Sequence, residues 1–205
     1  MKKVILSISA MLFAGVAMAQ NTSNVDQNGL LNGALVVQVG SNDSDVQQDG
    51  ILNSATVFQV GVDNSSTIDQ LGVANSASVT QIGWGNTSDI DQGPLLGNSA
   101  TVFQFGIGND ADLTQIGFFN SSSATQVGWG NSADAYQFGI ANESDTYQEG
   151  LFNSASTLQI GIGNTSSIGQ SGVANYALTA QFGWGNMSTV AQTGVLNGSV
   201  VLQAN

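Results

Sequence analysis

Chemistry in this chain would have to come from its carboxylates. Fourteen Asp and Glu stand against two Lys, with no His and no Cys. Asp43 and Asp45, Asp89 and Asp91, and Asp110 and Asp112 are each two residues apart. A pair of carboxylates can share general acid and base work at a glycosidic bond, or supply the hard oxygen ligands that calcium prefers. Either task needs a pocket that gathers them around one point, whereas residues two apart on a strand lie side by side on one face. No catalytic residue is therefore assigned. Asp45, Asp89, Asp112 and Asp134 are candidates for cation binding, because they recur at one position of a repeat. No imidazole titrates near neutrality, no thiol can act as nucleophile, and past Lys3 no cation can stabilise a developing anion. The expectation is a protein that is not an enzyme and needs no cofactor.

Lys2 and Lys3 precede the apolar run VILSISAMLFAGV (4–16), which leads into Ala17, Met18 and Ala19. That order of charged, apolar and small residues reads as a secretory signal peptide over 1–19, cleaved after Ala19. The run falls short of the ~20 residues a bilayer span needs and is interrupted by Ser7, Ser9 and Gly15. Cleavage would remove both lysines and move the net charge from −12 to −14. A polyanion without basic side chains cannot neutralise phosphates, so neither nucleic acid nor stable membrane insertion is expected. An exported compartment would permit disulfides, but there is no Cys, and backbone pairing and packing must hold the fold.

Amides recur more regularly than charges. From Gln27 to Gln203 one Gln marks each of seventeen units; fourteen of the sixteen intervals are eleven residues, one is ten (38 to 48) and one is twelve (92 to 104). Six residues before each Gln stands Asn, four before it Ala or Ser, and two after it Gly in nearly every case, the longer turn QGPLLGN (92–98) being an exception. Residues 20–205 are thus one repeat domain of N-x-[A/S]-x-Φ-x-Q-x-G-x-x, Φ being mostly Val, Ile, Leu, Ala or Thr. The amide pairs are Asn53 and Gln59, Asn64 and Gln70, Asn75 and Gln81, Asn86 and Gln92, Asn98 and Gln104, Asn109 and Gln115, and Asn120 and Gln126. They continue as Asn131 and Gln137, Asn142 and Gln148, Asn153 and Gln159, Asn164 and Gln170, Asn175 and Gln181, and Asn186 and Gln192. The turn glycines are Gly50, Gly61, Gly72, Gly83, Gly106, Gly117, Gly128, Gly139, Gly150, Gly161, Gly172, Gly183 and Gly194.

A spacing of two puts Asn, Ala/Ser, Φ and Gln on one face of a β-strand, and Gly supplies the positive φ of a tight corner. Eleven residues bury nothing alone, so the units must stack into an all-β solenoid of two parallel sheets, about 22 residues to the rung. The alternate positions read S-T-F (54, 56, 58), S-T-D (65, 67, 69) and S-S-T (76, 78, 80), which suits water and turns the invariant set inward. A buried amide without partners costs roughly 1–3 kcal/mol. Identical amides about 4.8 Å apart along the axis can satisfy one another as ladders. The residue after the turn Gly is apolar nearly throughout, including Trp84, Trp129 and Trp184, and is expected to close the corners of the narrow core.

The segments QDGILNSATVFQ (48–59), QLGVANSASVTQ (70–81) and QEGLFNSASTLQ (148–159) resemble the curlin repeat of bacterial curli fimbriae. The resemblance implies a functional-amyloid subunit that is exported, leaves the cell through a dedicated outer-membrane pore and polymerises into extracellular fibres of the biofilm matrix. It implies as partners further copies of the chain, a nucleator subunit and a curli-type secretion apparatus, and it equates the inward Asn and Gln with the family's amide ladders. In the family, Ser usually stands six residues before the first Gln of a repeat; here that place is Asn, as in Asn64 before Gln70. The repeats also follow the expected cleavage site directly, without a Gly/Asn-rich leader. GALVVQ (33–38) and GSVVLQ (198–203) carry no charge and no Pro, which suits strand addition at uncapped ends. The alternatives are a minor nucleator subunit of the same fibre and a capped, monomeric solenoid that binds ice or glycan.

Overall fold

The computed structural model describes residues 20–205, and the segment read as a signal peptide lies outside them. Fifteen parallel strands follow one another: β1 (Thr22–Leu30), β2 (Gly33–Ile51), β3 (Ser54–Val73), β4 (Ser76–Trp84), β5 (Thr87–Gln92), β6 (Ser99–Ile107), β7 (Asp110–Phe118) and β8 (Ser121–Trp129) come first. Then come β9 (Ser132–Ile140), β10 (Glu143–Leu151), β11 (Ser154–Ile162), β12 (Thr165–Val173), β13 (Tyr176–Trp184), β14 (Met187–Val195) and β15 (Gly198–Ala204). Each strand pairs with the strand two units away, Asn, Gln and Gly falling in register with their own kind. The result is a β-solenoid of about eight turns.

Seventeen units give fifteen strands because β2 and β3 each run through a corner and cover two units. The layers are therefore two halves of one continuous parallel sheet folded over on itself. Sheet I comprises β1, the second halves of β2 and β3 (43–51 and 65–73), and β5, β7, β9, β11, β13 and β15. Sheet II comprises the first halves of β2 and β3 (33–41 and 54–62), and β4, β6, β8, β10, β12 and β14. The ten-residue unit is absorbed as a register shift between Ser41 and Asp43. The twelve-residue unit bulges outward at Pro94 and Leu95, while Gly93 stays buried and donates to the Gln115 carbonyl, and it rejoins the stack through a bridge between Val73 and Leu96.

The interior is one layer of side chains from each sheet. Its apolar part runs from Val46 through Ile68, Ile90 and Leu113 in sheet I and Val57, Val79 and Val102 in sheet II. It breaks where Thr146 and Thr157 take the Φ place, and a second cluster forms around Ala155, Ile168, Ala177 and Val190. Small residues share the space unevenly: sheet I presents Ser44, Ser66 and Ser88 against Ala55, Ala77 and Ala100, and beyond Gln104 the sheets exchange these roles.

Candidate functional site

The feature that could act beyond one molecule is the pair of amide ladders running the length of the coil. In sheet II, Gln38 donates to Gln59, Gln59 to Gln81, Gln81 to Gln104, and so on to Gln192, each Nε2 reaching the Oε1 of the next rung at 2.7–2.9 Å. Sheet I repeats the pattern from Gln27 to Gln203 at 2.6–2.9 Å. From Gln38 on, the second hydrogen of the Nε2 goes to the backbone of the facing sheet, as from Gln59 to the Asp43 carbonyl at 2.9 Å. Nearly all these side chains are fully buried, Gln104 and Gln115 at 0% exposure. Period two aims them inward, and stacking satisfies them there.

The asparagines ladder in the opposite sense. The Asn86 amide Nδ2 and backbone N–H both donate back to Asn64 Oδ1, at 2.9 and 3.2 Å, while Nδ2 also donates to the Gly106 carbonyl at 3.2 Å. Asn131 and Asn153 do the same two and three rungs on. An Asn thus links its own rung to the preceding one and ties down the turn glycine of the other sheet. Because Gln donates toward the C-terminal end and Asn toward the N-terminal end, the stack has direction.

The turn glycines form a third ladder. Gly61 and Gly83 have φ of 130° and 128°, and a β-carbon on either would be driven into the carbonyl oxygen of the glycine one rung on. From Leu31 on, the residue before the Asn is also left-handed at every unit but the one with Ser41, with φ of 54–72° whether it is Leu52, Phe152 or Ala174, or Gly85 or Gly163. Sequence reasoning missed that second position because its side chains vary; the glycines at 85, 108, 130, 163 and 185 were the available signal.

The candidate cation ligands stand on the outer face of sheet I. Asp89, Asp112 and Asp134 lie in successive rungs, while Thr67 separates Asp45 from Asp89. Asp45 accepts from Asn24 Nδ2 at 3.1 Å, and Asp112 accepts from the Tyr136 hydroxyl at 3.0 Å. Burial and then the neighbouring Asp112 charge push Asp89 and Asp134 above the ordinary carboxylate value, and the same two causes raise Asp110. Asp91 is raised by burial and by Asp69 and Asp112. The Tyr136 phenol is pushed up to about 12, chiefly by its hydrogen bond to Asp112. A separate open cleft of about 570 Å³, beside the bulged corner, is lined by Asp26, Asp49, Asp69 and Asp91. Among the described residues no three acidic side chains converge in a metal-binding group.

The corner aromatics do not close the core. Trp84, Trp129 and Trp184 are 63%, 54% and 74% exposed. An interior two side chains thick and filled by Asn and Gln has no room for an indole, so the residue after each turn Gly points outward. Trp84, Ile107 and Trp129 stack along the sheet II edge, forming with Ile82 and Phe105 an open apolar groove, and Trp184 lies across the coil beside Ile162.

Among curated proteins none matches the chain. The family model of the curlin associated repeat matches residues 41–72, 63–93, 97–117, 108–139 and 167–194, more than half of the chain. Those segments hold the laddered Asn, Gln and Gly described above, and the chain belongs to the curlin family.

Proposed function

We propose that this protein is a secreted structural subunit that assembles head to tail into an extracellular, curli-type amyloid fibre of the bacterial biofilm matrix, serving adhesion and cohesion. Export would follow removal of residues 1–19, and a nucleator subunit and a curli-type secretion apparatus would be its partners. The observation that carries this reading is that the directed ladders stop at both described ends with their hydrogen-bonding capacity unspent. Gln192 and Gln203 donate to the carbonyls of Tyr176 and Met187 but reach no further Gln. Among the described residues Gln27 and Gln38 accept no amide from a preceding rung. The free edges of β1 and the first half of β2 at one end, and of β14 and β15 at the other, add unpaired backbone groups that template further parallel strands. At two units to the rung and about 4.8 Å per rung, each copy adds roughly 40 Å to a fibre.

Membership of a family of structural repeat proteins supports the same reading. The test is to dilute residues 20–205 from denaturant and follow thioflavin fluorescence with and without preformed seeds. Seeds are expected to abolish the lag. A compact single molecule, indifferent to seeds at high concentration, would overturn the proposal and favour a monomeric binder.

A further inference from the structure

The outer faces of the two sheets are patterned unequally along the coil. On sheet I one column reads Asn24, Asp45, Thr67, Asp89, Asp112, Asp134, Ser156, Leu178, Val200. The next reads Asp26, Gln47, Asp69, Asp91, Thr114, Tyr136, Leu158, Ala180, Leu202, and a third ends Phe138, Ile160, Phe182, Ala204. Sheet I is therefore acidic at the N-terminal end and apolar at the C-terminal end. Sheet II runs the other way. It opens with Leu35, Val37 and Val39, continues through Phe58, Val60, Ile82 and Phe105, and finishes with Thr189, Ala191 and Thr193.

Resting on the head-to-tail reading above, we propose that successive copies are related by a half-turn about the fibre axis, so that sheet I of one copy continues as sheet II of the next. Val200, Leu202 and Ala204 of β15 then meet Leu35, Val37 and Val39 of the following copy. On the other side Thr189, Ala191 and Thr193 meet Asn24, Asp26 and Asn28. Without the half-turn, Leu202 would face Asp26 and Val200 would face Asn24. Val200 and Leu202 are 59% and 71% exposed in the single copy, and Leu35 is 43% exposed, so the rotated junction covers apolar side chains with apolar side chains.

The coil geometry agrees. One unit's advance is itself a half-turn, and β15 stands in sheet I one unit beyond β14 in sheet II. The site next along the coil lies in sheet II, where β1 of a rotated copy fits; an unrotated copy leaves that site empty. The Gln ladder passes through the rotated junction from Gln203 to Gln38 and from Gln192 to Gln27. Each side of the fibre then carries apolar stretches centred on junctions, alternating with acidic ones.

The chain has no Cys, so single cysteines report the junction cleanly. Residues 20–205 carrying Leu202→Cys are mixed with copies carrying Val37→Cys or Asp26→Cys, grown into fibres from unmodified seeds and oxidised. A copy carrying both Leu158→Cys and Ala180→Cys, which are neighbours across two rungs, is the positive control. In-register neighbours lie within disulfide reach and opposite outer faces do not, so the Leu202→Cys with Val37→Cys mixture is expected to give at least about tenfold more covalent dimer. Dimer from Leu202→Cys with Asp26→Cys, or none from the Val37→Cys mixture while the control closes, would overturn the half-turn alone. Failure of the unmodified chain to form seeded fibres would overturn the fibre reading and the junction with it.

Discussion

Gly83 and Gly85 stand two residues apart in one corner and face different constraints. A β-carbon on Gly83 meets the Gly106 carbonyl, part of the backbone of the next rung, whereas one on Gly85 meets nothing and bears only the left-handed φ of 61°. Ala74, Ala141 and Ala174 already hold that conformation. Gly85→Ala should therefore cost about 1 kcal/mol and leave seeded growth intact, while Gly83→Ala should block it; equal growth rates for the two variants would contradict this account of the corner. The amides allow a similar comparison. Gln104 donates to Gln126 Oε1 at 2.8 Å and to the Thr87 carbonyl at 2.7 Å, and accepts from Gln81 at 2.9 Å. Gln104→Leu keeps the bulk but orphans three buried groups at roughly 1–3 kcal/mol each, so the denaturant needed to dissolve fibres should fall sharply. Gln104→Leu fibres that matched the parent would show that the ladder contributes little.

At the scale of the element, the strands and their inward amide set were legible because four positions two residues apart keep their identity, and only a strand puts such a set on one face. The corners were not. Nothing in the residues says that β2 and β3 run through theirs, or that Leu52 and Phe152 sit left-handed, since those places are held by the backbone hydrogen bonds of neighbouring rungs, as from the Leu52 N–H to the Leu30 carbonyl at 3.0 Å. The Trp residues were misplaced for the related reason that an apolar residue beside a thin core need not lie in it. Nor was the condition of the small residues visible: the hydroxyls of Ser44, Ser66, Ser88, Ser122 and Ser144 are buried without a partner. Rungs about 4.8 Å apart are too far for one Ser to reach the next; only where Thr takes the facing place does a bond form, Thr157 with Ser166 and Thr179 with Ser188, both at 3.3 Å. Ser66→Ala should accordingly stabilise the coil by about 1 kcal/mol, read as a higher denaturation midpoint, and Ser166→Ala should not. A destabilised Ser66→Ala would mean that the hydroxyl finds a partner.

For the whole molecule, the acidic half of sheet I sets the conditions under which the coil closes. Like charges in successive rungs, about 4.8 Å apart, repel by roughly 0.9 kcal/mol even at the dielectric constant of water, and Asp89, Asp112 and Asp134 stand in such a row with no basic side chain among the described residues to offset them. Folding raises the Asp89, Asp91, Asp110 and Asp134 carboxyls above the ordinary 3.8, so the coil binds their protons more tightly than the unfolded chain does. The cost is therefore present in full above the raised values, declines as pH falls through them, and is gone below 3.8. Growth of unseeded fibres should quicken as pH is lowered from 7 toward 4. Asp89→Asn with Asp91→Asn should grow faster than the parent at pH 7 and gain less from acid, because two of the charges that acid would remove are already absent. Rates that stayed level from pH 7 to pH 4 in the parent would mean that these carboxylates do not govern assembly. A variant as slow as the parent at pH 7 but equally quickened by acid would move the control to the remaining acids of the row.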